Sequence, residues 1–306
     1  MGEVEEDFSQ PVSVLLRKGT AKAHENVEHA PGAAWLARGE LERFEYTRFL
    51  MMLWHVYSAL EEGLDKHKEN TVLAPTYRPE VLRRAEALSL DIGYILGTPD
   101  WSGHPIHKQL EKAFPQPLTA YVNRLRYLAT EDGESSLLLA HAYVRYLGDL
   151  SGGQIIRRRI AKSYEFPKNG NGVRFYIFYA GKGEPEAGPS EMKELKEWYR
   201  AGMDAGVGDD EKLKAALVDE AILAFKLNQG LFTTLRVPQW AEMSSPNEFD
   251  LGVSVPPTPV TLLPPESVRT APHIVKGQQA SFLSRYGLLL VGALLLGIIE
   301  LFALMK

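Results

Sequence analysis

The 306-residue chain contains no cysteine. It therefore has no disulfide framework, no thiolate nucleophile and no cysteine-ligated zinc or iron–sulfur site. Any metal has to be held by histidine, by a carboxylate or within a cofactor. An excess of positive charge is also missing, because 34 Lys and Arg stand against 39 Asp and Glu, a net charge of -5. This balance argues against nucleic acid as the main partner.

The first ten residues, MGEVEEDFSQ, lack both a basic region and an apolar run. We interpret residues 1–10 as an acidic tail and not as a secretory signal. The chain also lacks a GxSxG motif, a Walker loop, a strand-associated GxGxxG and a Glu-x-x-His pair. These absences argue against a serine hydrolase, a nucleotide-binding domain and a ferritin-like di-iron bundle.

A long apolar run lies near the other end of the sequence. Residues 286–305 contain only Glu300 as a residue charged at pH 7, and twenty helical residues span about 30 Å, the thickness of a bilayer core. Residues 284–306 are therefore predicted to form a C-terminal transmembrane anchor, with a buried core helix as the alternative. Residues 241–283 are rich in proline and predict an extended linker.

The region from residue 11 to residue 240 has the periodicity of an all-α domain. Apolar residues recur at three- and four-residue spacing around Leu50, Leu53, Tyr57 and Leu60, which predicts one buried helix face. Helices are predicted at about residues 12–29, 40–68, 79–96, 135–164, 189–202 and 211–235. The glycine- and proline-containing residues 170–188 interrupt them with an aromatic cluster that packs under a loop or forms a short extended piece.

His24 is the first candidate for chemistry. Glu28 follows it by one helical turn on the same face, where a carboxylate accepts the second ring N–H of a metal-bound imidazole. Arg17, Lys18 and Lys22 are near enough in sequence to meet an anionic group. The alternative is a surface histidine with an acidic neighbour.

The second candidate is the run HAYVRYLGDLSGGQ at residues 141–154. Gly148, Gly152 and Gly153 lie inside a predicted helix, where each costs about 0.5–1 kcal/mol relative to alanine. Such glycines clear one stripe of side chains, so that a flat molecule or another backbone can approach closely. Asp149 lies beside that stripe, and Arg145 precedes it by one turn. Tight helix packing with a surface ion pair is the alternative.

A third candidate is LKEWYR, which places Lys196, Tyr199 and Arg200 on one helical face. Two cations beside a phenol suit the binding of carboxylates, although a solvated basic face is the alternative. His104 and His107 form an HxxH pattern that is expected to lie in a solvated loop.

Together these motifs resemble those of the haem oxygenases. The resemblance is carried by YLGDLSGG at residues 146–153, AHE around His24, YSALEE at 57–62, AP-Y-P at 74–79, YR at 199–200 and AFKLNQGLF at 224–232. It implies an all-α fold with haem held between a proximal helix and a kinked distal helix. The anchor after a proline-rich linker is also similar to that of eukaryotic members in the endoplasmic reticulum membrane.

The resemblance implies a role for each matching residue. His24 corresponds to the axial ligand of the haem iron and Glu28 to the carboxylate that steadies it. Gly148 and Gly152 correspond to glycines that let haem lie against the backbone. Asp149 is similar to the aspartate of a distal water network, whose other members correspond to Tyr57 and Arg145.

The remaining matches concern contacts with haem. The side chains implied to face the propionates are Arg17, Lys196, Tyr199 and Arg200, and those implied to lie near the ring are Phe225, Asn228 and Phe232. Animal members place a second propionate lysine where this chain has Ala21. Lys22 lies about 100° further around the helix, on a different face.

The function implied by the resemblance is oxidative cleavage of haem b by O2 to biliverdin, carbon monoxide and ferrous iron. Electrons are expected from NADPH through a membrane-bound flavoprotein of the NADPH–cytochrome P450 reductase type, because the chain has no nucleotide fingerprint of its own. The catalytic domain is expected to face the cytosol. A haem sensor or carrier on the membrane, an inactive homologue and a tail-anchored adaptor remain alternatives.

Overall fold

The computed structural model describes residues 7–181 and 185–239. Within this range the chain is helical, with a single isolated antiparallel bridge between Tyr179 and Glu186 and no strand. The helices are α1 Val12–Gly19, α2 Ala21–Glu28, α3 Pro31–Arg38, α4 Arg43–Lys66, α5 Pro79–Leu82, α6 Ala85–Leu96, α7 Pro105–Lys112, α8 Gln116–Leu128, α9 Leu138–Ala142, α10 Gly148–Ser151, α11 Gly153–Ser163, α12 Pro189–Val207 and α13 Glu211–Thr233. The predicted all-α class is confirmed.

Helix α4 runs through the core and packs against α6, α8 and α9. Its predicted apolar face is buried, including Leu50, Leu53, Tyr57 and Leu60. Burying side chains of this size contributes roughly 1.5–3 kcal/mol each. The hydroxyl group of Tyr57 is therefore buried in the core together with the apolar side chains of this helix face.

Helix α13 packs against helices from two separate parts of the chain. It contacts α1, α2 and α3, and it also contacts α8 and α9. Ala221 and Ala224 are fully buried, which allows the neighbouring helices to approach closely. The helix that carries His24 and the turn Tyr143–Leu147, which precedes Asp149, therefore both pack against α13.

Three predicted helices are interrupted. The segment predicted at 79–96 divides at Arg83 and Arg84, between α5 and α6. The segment predicted at 12–29 divides at Thr20, whose hydroxyl donates a 2.6 Å hydrogen bond to the carbonyl of Leu16. The segment predicted at 135–164 contains a π-helical turn, Tyr143–Leu147, between α9 and α10. A π turn adds a residue to the helical repeat and so shifts the face on which later side chains lie.

Helices α3, α7 and α8 were not predicted from the sequence. Each has proline at its first or second position, where the missing N–H costs nothing, and α3 and α7 are only eight residues long. The expectation of a solvated loop for His104 and His107 is wrong. His104 caps the start of α7, and His107 is only 4% exposed because it packs against α4.

No helix within residues 7–181 and 185–239 is long and apolar enough to cross a membrane. The predicted linker, residues 241–283, and the predicted anchor, residues 284–306, lie outside the described residues.

The aromatic cluster predicted within residues 170–188 is largely buried, since Phe175, Tyr176 and Phe178 are all within the core.

Candidate functional site

Four buried polar side chains form a hydrogen-bonded network around Asp149. The hydroxyl of Tyr57 donates to Asp149 Oδ2. Arg145 donates from Nε to the Tyr57 oxygen at 3.0 Å and from Nη1 to Asn228 Oδ1 at 2.6 Å. Arg145 Nη2 also lies 3.7 Å from Asp149 Oδ1. The ion pair that the sequence left open as a surface feature is therefore buried and shared with two neutral partners.

The low-dielectric surroundings change the acidity of this network. Burial raises the pKa of Asp149, while Arg145 and the Tyr57 hydroxyl oppose that rise. Burial also raises the pKa of Tyr57. Although burial alone disfavours its charge, Arg145 has a raised pKa because of Tyr57 and Asp149. The network thus holds a fixed cation beside a carboxyl group that binds a proton more readily than an exposed aspartate.

The glycines beside this network differ in their surroundings. Outside the adjoining backbone of its own helix, a Cβ atom at Gly148 would meet no heavy atom within 4 Å, and one at Gly152 would meet only the Gly148 carbonyl oxygen at 3.8 Å. A Cβ atom at Gly153 would lie 3.2 Å from Tyr176 Cδ1. The tight-packing alternative therefore applies to Gly153, whereas Gly148 and Gly152 border open space.

His24 lies on α2, a helix with no buried residue. Its side chain is 58% exposed, and Nδ1 lies 3.4 Å from Glu28 Oε1. Its ring meets that of Phe225 edge-on, with 5.6 Å between the centroids. The carboxylate faces Nδ1, so Nε2 is the nitrogen left to bind a metal.

Phe225 and Asn228 connect the two sides. They are three residues apart on α13, about one helical turn or 4.5 Å along the axis. Phe225 contacts His24, and Asn228 accepts from Arg145. The same turn of α13 therefore contacts both the imidazole and the buried network. Phe232 lies two turns further and stacks on Phe49 at 5.5 Å.

The predicted cationic residues come from two helices. Arg17 is exposed on α1, and Lys196 and Arg200 are partly exposed on α12. Burial and the charge of Arg200 lower the pKa of Lys196. The pKa of Tyr143 is raised by burial but lowered by Arg200 and Arg17, so both cations act on one phenol in the π turn.

Two of the sequence candidates lie elsewhere. Tyr199 is only 1% exposed, and its ring packs edge-on against Tyr146 in the core. Its ring is buried while Lys196 and Arg200 stay partly exposed, because burying an aromatic ring outweighs exposing its hydroxyl. Lys22 is exposed and pairs with Glu25 at 2.7 Å, in agreement with its different helix face.

Three residues near the site were missed in the sequence. Tyr143 is the first residue of the π turn, and no local sequence pattern indicates that Arg17 and Arg200 lie near its hydroxyl group. Gln154 donates to the carbonyls of Tyr176 at 2.7 Å and Asp149 at 3.2 Å, fixing the segment after the glycines. Glu61 is buried on α4, and burial raises its pKa to about 7. The available signal in the sequence was its position beside the apolar residues of α4, which indicates that Glu61 is buried.

These features fit a metalloporphyrin. An exposed imidazole with an acidic partner suits an axial position, open glycine backbone suits a flat ring, and Arg17, Lys196 and Arg200 suit carboxylates. Across residues 7–181 and 185–239, no group of three or more His, Asp or Glu side chains is arranged to hold a metal ion. A single imidazole is therefore better suited to an iron ion whose other ligands are supplied by a porphyrin.

Comparisons with known proteins agree with this geometry. A family model described as heme oxygenase matches residues 10–234. Heme oxygenase 1 of Gallus gallus is 35% identical over 231 residues, which cover 76% of this chain and 72% of that protein. The structure of heme oxygenase from Leptospira interrogans is similar with a TM-score of 0.61 and 33% identity, covering 74% of this chain and all of that one.

A second solved structure is heme oxygenase-1 from the cyanobacterium Synechocystis in complex with heme. Its TM-score is 0.60 at 30% identity, covering 73% of this chain and 91% of that one. The residues matched by the family model include every helix from α1 to α13, and so the elements that carry His24, Asp149 and Asn228. The chain belongs to the haem oxygenase family.

Proposed function

We propose that this chain is an enzyme that cleaves haem with O2 to biliverdin, carbon monoxide and ferrous iron. The observation that carries the proposal is the single turn of α13 on which Phe225 contacts His24 and Asn228 accepts from Arg145. The imidazole of His24 and the buried network around Asp149 therefore contact the same turn of α13. Open backbone at Gly148 and Gly152 leaves room beside that network.

The residues that would hold haem follow from their chemistry. His24 would bind the iron through Nε2, while Glu28 orients the ring through Nδ1. Arg17, Lys196 and Arg200 would bind the propionates. Haem, when bound, supplies the iron at which O2 reacts and is itself the substrate whose ring is opened. An imidazole donates less electron density to iron than a thiolate, which favours attack on the ring over early O–O cleavage.

The buried network performs the proton chemistry. Tyr57 occupies Oδ2 of Asp149 and Arg145 approaches Oδ1, so the carboxyl group is held in one orientation with lone pairs left for water. Asp149 acts through such a water, which it orients and to which it supplies a proton. Arg145 and Tyr57 are positioning residues, because they fix the carboxyl group and tune its acidity.

This network also separates the enzyme from a haem sensor or carrier on the membrane. A carrier needs His24 and the cations that would bind the propionates. It has no use for a buried cation, carboxyl and phenol beside open backbone, which cost free energy to desolvate. The enzyme is therefore the better supported of the two functions.

We further propose that electrons come from NADPH through a flavoprotein of the NADPH–cytochrome P450 reductase type. Residues 286–305 would anchor the chain in the endoplasmic reticulum membrane with the helical domain in the cytosol. Their length and apolar composition support this arrangement. Deleting residues 284–306 should move the protein from the membrane fraction to the supernatant while haem cleavage persists. Retention of the deleted protein in the membrane fraction would contradict the anchor.

The activity is tested with the full chain, haem, NADPH and a purified reductase of this type. We expect haem absorbance to decline while biliverdin absorbance and carbon monoxide appear, and no product without the reductase. Saturable haem binding without biliverdin would favour the carrier. An absence of haem binding would exclude both functions.

A further inference from the structure

His55 and His107 form a second histidine site, distinct from the one that faces haem. Their Nε2 atoms lie 3.2 Å apart, with ring planes 11° apart and centroids separated by 5.3 Å. His55 is on α4 two residues before Tyr57, which places it about 200° around the helix from that residue. The pair therefore faces α7 and not the buried network.

The outer contact of His107 decides which of its ring nitrogens carries the hydrogen. His107 Nδ1 lies 3.0 Å from the Ser102 carbonyl oxygen, so this nitrogen carries the hydrogen and donates it. Glu111 Oε2 lies 3.7 Å from the same nitrogen. The Nε2 atom of His107 therefore presents a lone pair towards His55. A backbone carbonyl or carboxylate on the far nitrogen is the arrangement that orients imidazole ligands in metal sites.

The separation of the two Nε2 atoms fits one ion bound between them. Two imidazole nitrogens at about 2.0–2.1 Å from a tetrahedral ion are roughly 3.3–3.4 Å apart. The observed 3.2 Å differs from this value by a small side-chain movement. We propose that His55 and His107 together bind one divalent first-row transition-metal ion, such as Zn2+ or Cu2+, and so tie α7 to α4.

The charges around the pair also bear on binding. Burial, His107 and Arg126 lower the pKa of His55 to about 4. Arg126 opposes the entry of a cation and Glu111 favours it. The rings that pack edge-on against the pair, and exclude water from those sides, are Trp54, Trp101 and Phe114. His55 is partly exposed, which leaves a route for the ion and for water ligands.

The ion would stabilise a weakly held element. The buried residues of α7 are His107 and Leu110, so this helix has little apolar contact of its own. Because no third His, Asp or Glu of the described residues completes the group, the other coordination positions would be filled by water. The site should bind more weakly than a closed four-ligand zinc site and should prefer Cu2+ over Zn2+.

The test uses the full chain after chelator treatment and without haem, so it does not depend on haem cleavage. Zn2+ is titrated calorimetrically into the wild type, His55→Gln, His107→Gln and the matched control His104→Gln. We expect the first two variants to lose one site or to bind it at least tenfold more weakly, and His104→Gln to resemble the wild type. The same pattern should persist in a His24→Ala background.

Electron paramagnetic resonance of bound Cu2+ gives a second readout. We expect hyperfine coupling to two nitrogens in the wild type and to one nitrogen in His55→Gln. Equal binding in the wild type and both variants, or a wild-type copper spectrum with fewer than two nitrogens, would overturn the proposal and leave a hydrogen-bonded histidine pair. Circular dichroism checks the folding of each variant. If His107→Gln does not fold, the number of nitrogens in the wild-type copper spectrum decides between a metal site and a hydrogen-bonded histidine pair.

Discussion

Tyr57 on α4 donates its hydroxyl hydrogen to Asp149 on α10, joining residues 92 positions apart in the chain. The acceptor also faces Arg145, so the phenol and the guanidinium hold one carboxyl group from two sides. A local pattern finds Arg145 and Asp149 as neighbours one turn apart. Only the fold brings Tyr57 to them and removes all three from water.

Asp149→Ala should keep most of the haem affinity, because the residue is expected to act on water and not on the iron. Biliverdin formation should fall by at least about tenfold, corresponding to ~1.4 kcal/mol in the barrier. Oxidation of an added phenol should rise, since oxygen chemistry is no longer directed to the ring. Haem affinity, biliverdin yield and phenol oxidation are measured on the same preparations.

Asp149→Asn is the matched variant for charge. It keeps the size of the side chain and an oxygen that accepts from Tyr57, so folding should be affected less than by alanine, which leaves buried donors unpaired at about 1–3 kcal/mol. Biliverdin formation should still fall, because an amide does not supply the proton. Wild-type rates in both variants would reduce Asp149 to a structural partner of Arg145.

His24→Ala should leave the helical fold intact, because alanine has high helix propensity and the side chain it replaces is largely exposed. Haem cleavage should collapse, and imidazole added to the buffer should restore part of the haem spectrum. His29→Ala is the control, since His29 is exposed at the end of the same helix and bonds the Glu25 carbonyl. Normal turnover in His24→Ala without imidazole would disprove its role as ligand.

Much of this arrangement was predictable from local sequence. The all-α class follows from helical periodicity, and Glu28 follows from its one-turn spacing after His24. The π turn was not predictable, because one added residue leaves the apolar pattern almost unchanged while rotating the side chains that follow it. Nor was the burial of His107, whose partner is 52 residues away and whose polar neighbours resemble a solvated loop.

Tyr199 illustrates a different limit. Its spacing relative to Lys196 and Arg200 predicts a common face, and the helix has that geometry. The three side chains differ in burial. The ring of Tyr199 packs against Tyr146 in the core, whereas the charged groups of Lys196 and Arg200 stay at the partly exposed surface. A helical repeat indicates which residues are neighbours, but the surrounding elements determine which of them contact solvent.

Glu61 should make stability depend on pH. Its pKa is raised by burial from 4.5 to about 7, so between those values the folded chain binds a proton that the unfolded chain releases. Stability should therefore decrease as pH rises from 4.5 to 7, by at most about 3 kcal/mol from this group. Chemical denaturation at several pH values measures this slope.

Glu61→Gln is the matched variant for that slope. Both backbone donors, Arg84 N at 2.6 Å and Ala85 N at 3.1 Å, bond to Oε1, which the glutamine amide oxygen can replace. We expect the decrease between pH 4.5 and 7 to be smaller in the variant, which retains its fold; the remaining decrease comes from groups such as Asp91, whose pKa burial raises to about 6. An unchanged slope would mean that Glu61 has an ordinary pKa in the folded chain.

Gly148→Ala and Gly206→Ala should separate function from packing. A methyl group at Gly148 meets no protein atom within 4 Å, so alanine should preserve or raise stability by about 0.5–1 kcal/mol. It enters the open space beside Asp149, and a small displacement of haem there should lower biliverdin formation by at least about tenfold. Thermal unfolding, haem affinity and product yield are compared with the wild type.

Gly206→Ala on α12 should give the opposite result. Its methyl group would lie 2.4 Å from the Val72 carbonyl oxygen, so the backbone must move at a cost of about 1–3 kcal/mol. Turnover per folded molecule should stay close to that of the wild type, because this contact lies between α12 and the loop after α4. If Gly148→Ala instead lost stability and kept full activity, Gly148 would be a packing glycine, and the space beside it would not be where haem binds.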